Sequence, residues 1–358
     1  MPFAIESGRM KSLNSYFSPD YFIARTRFRE SAANRGARLQ ALPMTAKGPN
    51  GEELTIDIAW FGSESPRQVL LHSSGLHGIE GFAGSAIQLQ LLDKLPPLPA
   101  DAALVVVHIL NPYGMSWLRR VNENNVDLNR NFPSTGSYAG APPTYASLDP
   151  FLNPRSRPTY DFFFSKAACY VFRYGLTPVK QAVAGGQYEF PDGLFFGGKQ
   201  LEEGPRKYDA FLNERLALSQ KAIVIDVHTG LGEFAEDSLL VESHDYGRLR
   251  DIFGERVTAL DPDQGSAYRI DGGLQSMIFR VFSKTRPTFV GQEFGTYSNI
   301  KVLHALREEN RWHHYGNGDL DHSTKHTLKE TFCPEDESWR EAVLKRGQDV
   351  VERALEEL

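Results

Sequence analysis

Apolar and polar positions alternate along this chain in short runs separated by turn-rich stretches. Leu54–Phe61 (LTIDIAWF) opens with strict alternation, the period of a half-buried strand. Val69–His72 and Leu104–Leu110 (LVVVHIL) are nearly continuous apolar runs, as expected of central strands covered on both faces. Ala222–Val227 (AIVIDV) and Thr288–Glu293 (TFVGQE) read as further buried strands. Between the first two runs, Phe82–Leu92 has helical spacing, so strand, helix and strand make a βαβ unit and the fold class is α/β. An Arg-rich stretch from about Pro19 to Gly36 reads as an exposed helix leading into a strand near Arg38–Met44. Ser134–Pro158 is rich in Pro, Gly, Ser and Tyr and reads as a long surface excursion. Helical stretches follow around Tyr160–Ala184 and Arg206–Ser219, and the last 25 residues form a charged amphipathic helix. No repeat or linker composition interrupts the pattern. The expectation is one domain over residues 1–358, with an insertion at about 134–221.

Composition adds limits. Of 358 residues, 41% are apolar and 23% charged, which suits a globular protein with a sizeable core. The net charge is −6, from 39 basic and 45 acidic side chains, and no basic patch stands out. That balance argues against nucleic acid and gives no hint of a membrane surface. Cys169 and Cys333 are too few for a disulfide scaffold and read as two reduced, buried thiols. The N-terminus lacks an apolar run of secretory type, and no run reaches the roughly 20 apolar residues of a membrane span, so a cytoplasmic location is expected.

The candidate chemistry gathers at strand ends. His77 and Glu80 stand three residues apart, just after the run ending at His72 and where a helix begins. In open α/β sheets this carboxyl edge is where ligands bind. A His and a Glu so placed can reach one zinc ion, which needs three protein ligands and an open position for catalysis. A His-x-x-Glu spacing is weak by itself, since about one is expected by chance in a chain with 10 histidines. His228 ends another buried strand and is either a third ligand or a histidine satisfied by backbone. Asp226, two residues earlier, is either a structural acceptor or a site residue. Glu293 ends an apolar strand, where a carboxylate is costly unless paired or facing a wet site. It reads as a general base with a raised pKa, or as a carboxylate held by an Arg or a helix N-terminus. Arg119, Arg120, Asn129 and Arg130 lie in a polar loop after the strand Leu104–Leu110. They are either solvated or suited to gripping a carboxylate and an oxyanion.

Taken in order, His77/Glu80, the Asn111-Pro112-Tyr113-Gly114 turn, Asp127-Leu-Asn-Arg-Asn-Phe132, His228 and Glu293 resemble the zinc carboxypeptidase superfamily. Ala184–Gly198 and Glu293–Tyr297 more closely resemble a bacterial domain-of-unknown-function branch related to the succinylglutamate desuccinylase/aspartoacylase and carboxypeptidase A groups. The resemblance runs over almost the whole chain. It implies a mixed, mostly parallel twisted sheet of about eight strands flanked by helices. It implies one zinc per chain on His77, Glu80 and His228, with Glu293 as general base. Asp127 would fix the His77 tautomer, Asn129 and Arg130 would bind a terminal carboxylate, and Arg120, or its close competitor Arg119, would polarise the scissile carbonyl. Tyr268 is the candidate for a mobile capping tyrosine.

The expected function is therefore a zinc metallohydrolase of carboxypeptidase type. The alternatives are a deacylase of small N-acyl amino acids and a non-catalytic binding protein on the same fold. The expected partner is a small peptide or N-acyl amino acid with a free carboxylate, without nucleic acid or membrane. No G-x-S-x-G or P-loop motif supports a serine hydrolase or a phosphate-binding reading.

Overall fold

A computed structural model describes residues 13–133, 135–260 and 272–358. After helix α1 (Tyr21–Asn34) come strands β1 (Arg38–Lys47), β2 (Glu53–Gly62) and β3 (Gln68–Ser74), helix α2 (Gly81–Asp93), β4 (Ala102–His108) and the short α3 (Pro112–Ser116). Helices α4 (Tyr145–Leu152), α5 (Phe163–Tyr174), α6 (Leu176–Ala184) and α7 (Glu203–Arg215) lead to β5 (Lys221–Gly230). The remainder is β6 (Asp237–Val241), α8 (Tyr246–Phe253), β7 (Val257–Ala259), α9 (Leu274–Val281), β8 (Thr288–Gly295), α10 (Asn299–Tyr315), α11 (Ser323–Phe332) and α12 (Glu337–Glu356).

The strands form one eight-stranded mixed sheet in the order β1-β2-β4-β3-β5-β8-β6-β7. The four strands β4, β3, β5 and β8 run parallel, so their carboxyl ends share one edge. The two-residue period assigns side chains to faces. Val69, Leu71, Val105 and Val107 join the core that includes Tyr208 and Phe211 of α7 and Met277 and Ile278 of α9. Leu70, Leu104, Val106 and Ile225 join the other, with Phe28 of α1, Leu91 of α2 and Val350 of α12. Among the described residues no helix is long and apolar enough to cross a membrane.

Five local expectations need correction. β2 is buried at almost every position, because its polar residues are neutralised internally. Asp57 pairs with Arg29 at 2.6 Å, and the Tyr21 hydroxyl donates to Thr55 O. α1 is only half exposed, since Tyr21, Ala24, Phe28 and Ala32 form a buried stripe at helical spacing. The excursion after residue 134 is not all surface: Tyr145, Leu148, Phe151 and Leu152 of α4 are buried with Phe163 and Ala182. Gly175, at φ +83°, divides the expected helix over Tyr160–Ala184 into α5 and α6. Both cysteines are free, but Cys169 is exposed on α5 and only Cys333 is buried.

Candidate metal centre

β3 ends at Ser74, and the chain turns through Gly75, at φ +68°, before delivering His77 and a short 3-10 turn ending at Glu80. Gly78 has no side chain for a packing reason. A Cβ there would lie 2.2 Å from the backbone carbon of Gly114, because this turn rests directly on the Asn111–Gly114 turn. The contact is sealed by Gly78 N–H donating to Arg120 O and Ile79 N–H to Arg119 O. β5 delivers His228, and β8 delivers Glu293 beside it, aligned in parallel register.

His77, Glu80 and His228 are all buried, and their ligand atoms lie within 4.8 Å of one another. Among the described residues this is the one such cluster that could hold a metal ion. Both imidazoles turn Nδ1 towards the same carboxylate: His77 Nδ1 is 2.8 Å from Glu80 Oε1 and His228 Nδ1 is 3.0 Å from Oε2. Both rest Nε2 against an aspartate. His77 Nε2 is 3.0 Å from Asp127 Oδ1, and His228 Nε2 is 2.8 Å from Asp226 Oδ2. An aspartate accepting from Nε2–H fixes the ring so that Nδ1 faces inward, where a metal ion would displace the proton it shares with Glu80. Two nitrogens and a carboxylate converging in a buried space suit zinc.

The electrostatics describe a seat made for a cation. Burial alone would raise the Glu80 carboxyl, but His77 and His228 outweigh it and hold Glu80 below the usual carboxylate range. Burial would lower the His228 imidazole, yet Asp226 and Glu80 hold it well above its ordinary value. Burial likewise opposes ionisation of Asp127, and Arg120, His77 and Arg130 more than offset it. Glu293 moves the other way. Burial first, then the Glu80 charge, pushes it up to about 7, although Leu231 N–H donates to its Oε1 at 2.9 Å.

Arg120 joins this group. Its Nη1 donates to Glu80 Oε1 at 2.9 Å, its Nε donates to Asp127 Oδ2 at 3.1 Å, and its Nη2 lies 2.8 Å from His77 Nε2. Arg119 does not. It points into the protein, paired with Glu309 at 3.0 Å and donating to Asn125 and Asn310, while Lys325 holds the same Glu309 at 2.6 Å. Asn129 is partly exposed, and its Oδ1 accepts from Leu274 N–H. Arg130 is buried under the loop following α6: the Tyr188 hydroxyl donates to its carbonyl, and a Cβ on Gly186 would meet its Cδ at 2.6 Å. Tyr268 lies outside the described residues. Asp226, ranked below the others from sequence, is the residue whose importance the pattern understated. The Asp-x-His spacing on one strand face was its only trace.

A family model described as "Protein of unknown function (DUF2817)" matches residues 17–346. The chain belongs to that family. This agrees with the expected domain-of-unknown-function branch. No protein of curated function matches the chain. Among solved structures, it is similar to carboxypeptidase A from Helicoverpa armigera, at 12% identity over 92% of this chain and 77% of that one, with a TM-score of 0.49. It is also similar to the murein-tripeptide amidase MpaA from Escherichia coli O157, at 18% identity over 78% and 96%, TM-score 0.38. A third is bovine thrombin-activatable fibrinolysis inhibitor, at 12% identity over 92% and 99%, TM-score 0.47.

Proposed function

We propose that this protein is a zinc-dependent hydrolase of carboxypeptidase type, cleaving the amide bond next to a free carboxylate. One observation carries the reading: two imidazoles converge through Nδ1 on one buried carboxylate, each backed by an aspartate at Nε2. A surface ion cluster has no need of such matched backing, whereas a metal site does.

His77, Glu80 and His228 would hold the ion. Bound zinc supplies Lewis acidity to a carbonyl oxygen and acidity to water. Glu293, beside His228 on the next strand, takes the proton from the attacking water and returns it to the departing nitrogen. Without the ion, burial and the Glu80 charge raise this carboxyl; bound zinc would favour its ionised form, the form that accepts a proton from water. Arg120 offers its guanidinium to the oxygen that gains charge during attack. Asn129 and Arg130 orient the substrate through its carboxylate, and Tyr268 is proposed as a cap on the resemblance alone.

The test is a hydrolysis screen with zinc, comparing peptides with a free C-terminus, amidated peptides and N-acyl amino acids. Turnover of the first class alone is expected. Turnover confined to N-acyl amino acids would replace the peptidase reading with the deacylase one, and silence on all three would leave a binding protein. Purified protein should carry close to one zinc per chain. His228→Ala should lose it, while Glu293→Gln should keep the metal and lose hydrolysis.

A further inference from the structure

Among the described residues, five of the eleven exposed large apolar side chains fall within a short part of the insertion: Tyr160, Phe162, Phe164, Phe172 and Leu176. Phe172 is 94% exposed and Tyr160 86%. Such a concentration is not the ordinary scatter of single apolar residues over a surface. α5 explains it. Its inner side packs on α4, with Phe163 stacked on Phe151 at 5.1 Å and Tyr170 against the same ring. Phe164, Ala168 and Phe172 follow one another at four-residue steps along the outer side, facing solvent. A helix apolar on both sides is built to be covered on both.

We propose that this face docks on an anionic lipid surface, lying in the interface without crossing it. The charge around it selects that occupant. From Phe162 to Tyr188 there is no Asp or Glu, while Arg173 and Lys180 are exposed and Lys166, also exposed, lies 3.6 Å from Asp161 at the start of the helix. The chain as a whole carries −6, so this face opposes the sign of the rest. The expectation of no membrane partner drew on that whole-chain balance and on the lack of a membrane-spanning run, neither of which describes this local distribution. A second copy is disfavoured, because a two-fold contact would set these cations against themselves. Aromatic rings standing this far out, flanked by Lys and Arg, match an interfacial helix, whose rings enter a fluid medium without a shaped socket. The inference stands independently of the hydrolase reading.

The experiment is co-sedimentation of the full-length chain with vesicles of phosphatidylcholine alone and of phosphatidylcholine mixed with phosphatidylglycerol. Binding to the mixed vesicles is expected, weakening as salt is raised. Arg173→Gln and Lys180→Gln should each lower partitioning about five-fold. Phe172→Ser should lower it further without changing the melting temperature, since that ring touches solvent almost all round. No binding to either vesicle, or binding indifferent to Phe172→Ser, would overturn the proposal. So would silence on vesicles together with self-association that Phe172→Ser abolishes, which would assign the face to a second copy. Silence on vesicles with retention on polyglutamate beads would assign it to an acidic protein.

Discussion

Asp226 occupies the position towards His228 that Asp127 occupies towards His77. Its Oδ1 also accepts from the Ser73 hydroxyl at 2.6 Å, which ties the carboxylate to β3. An amide at either position keeps the shape but loses the charge that holds the ring. Asp226→Asn and Asp127→Asn should each weaken zinc binding by roughly 10- to 100-fold, measured by competition with a chromogenic chelator. An unchanged affinity in Asp226→Asn would remove it from the metal's support. Arg119 belongs to the opposite category, because its partners are all structural. Arg119→Met leaves Glu309 still paired with Lys325 but strips the buried Asn125 and Asn310 side-chain oxygens of their donor, and each acceptor left unsatisfied costs about 1–3 kcal/mol. Chemical denaturation should reveal that loss, with zinc affinity unaltered. From sequence the two arginines are adjacent and indistinguishable. Only the turn after α3 decides which one faces the metal ligands and which faces α10. That His77, Glu80 and His228 would come together was legible because costly polar residues at the ends of apolar strands stand out against their surroundings. Asp226 was not, because a buried acid two residues before a histidine has no meaning until its Nε2 partner is known.

At the scale of elements, the central strands were legible for a simple reason: a strand covered on both faces has to be apolar throughout. β6, β7 and α8 escaped notice, since short elements at an edge carry too few buried positions to set a period; α9 and the 17-residue α10 were missed although Leu274, Met277, Ile278 and Val281 of α9 are buried at helical spacing. α2 adds something that apolar pattern hides. It presses Ser85 and Gln88 onto two histidines inside the core, His108 and His72 respectively. Burial pushes His72 down to about 4 and His108 to about 3, so both stay neutral in the fold. The unfolded chain takes up these protons near pH 6.5, so it gains protons before the native state does. Stability from this pair is complete above about 6.5 and is lost as pH falls towards 4 and 3. At pH 5 the loss is about 2 kcal/mol for each residue. His108→Gln should flatten the fall in denaturation midpoint between neutral and mildly acidic buffer. An equally steep fall in the variant would refute this account.

For the whole molecule, metal binding and folding are linked. An ion that binds the native site and not the unfolded chain stabilises it by about 2.7 kcal/mol at one hundred times its dissociation constant. Zinc should therefore raise the melting temperature of the wild-type chain and leave that of His228→Ala unmoved. A rise of equal size in the variant would point to binding elsewhere. The site also lies at the centre of the sheet, drawn from β3, β5 and β8, three successive strands with β5 in the middle. This arrangement has a consequence in time. On a ribosome adding roughly 5–20 residues per second, β3 finds β4 almost at once, but its other edge waits for β5, about 150 residues later. For roughly 8–30 s the nascent chain holds a half-paired strand followed by two proposed metal ligands that have no third. Any ion captured in that interval would be held by two ligands only, so selection of the correct metal would wait for β5, which brings His228.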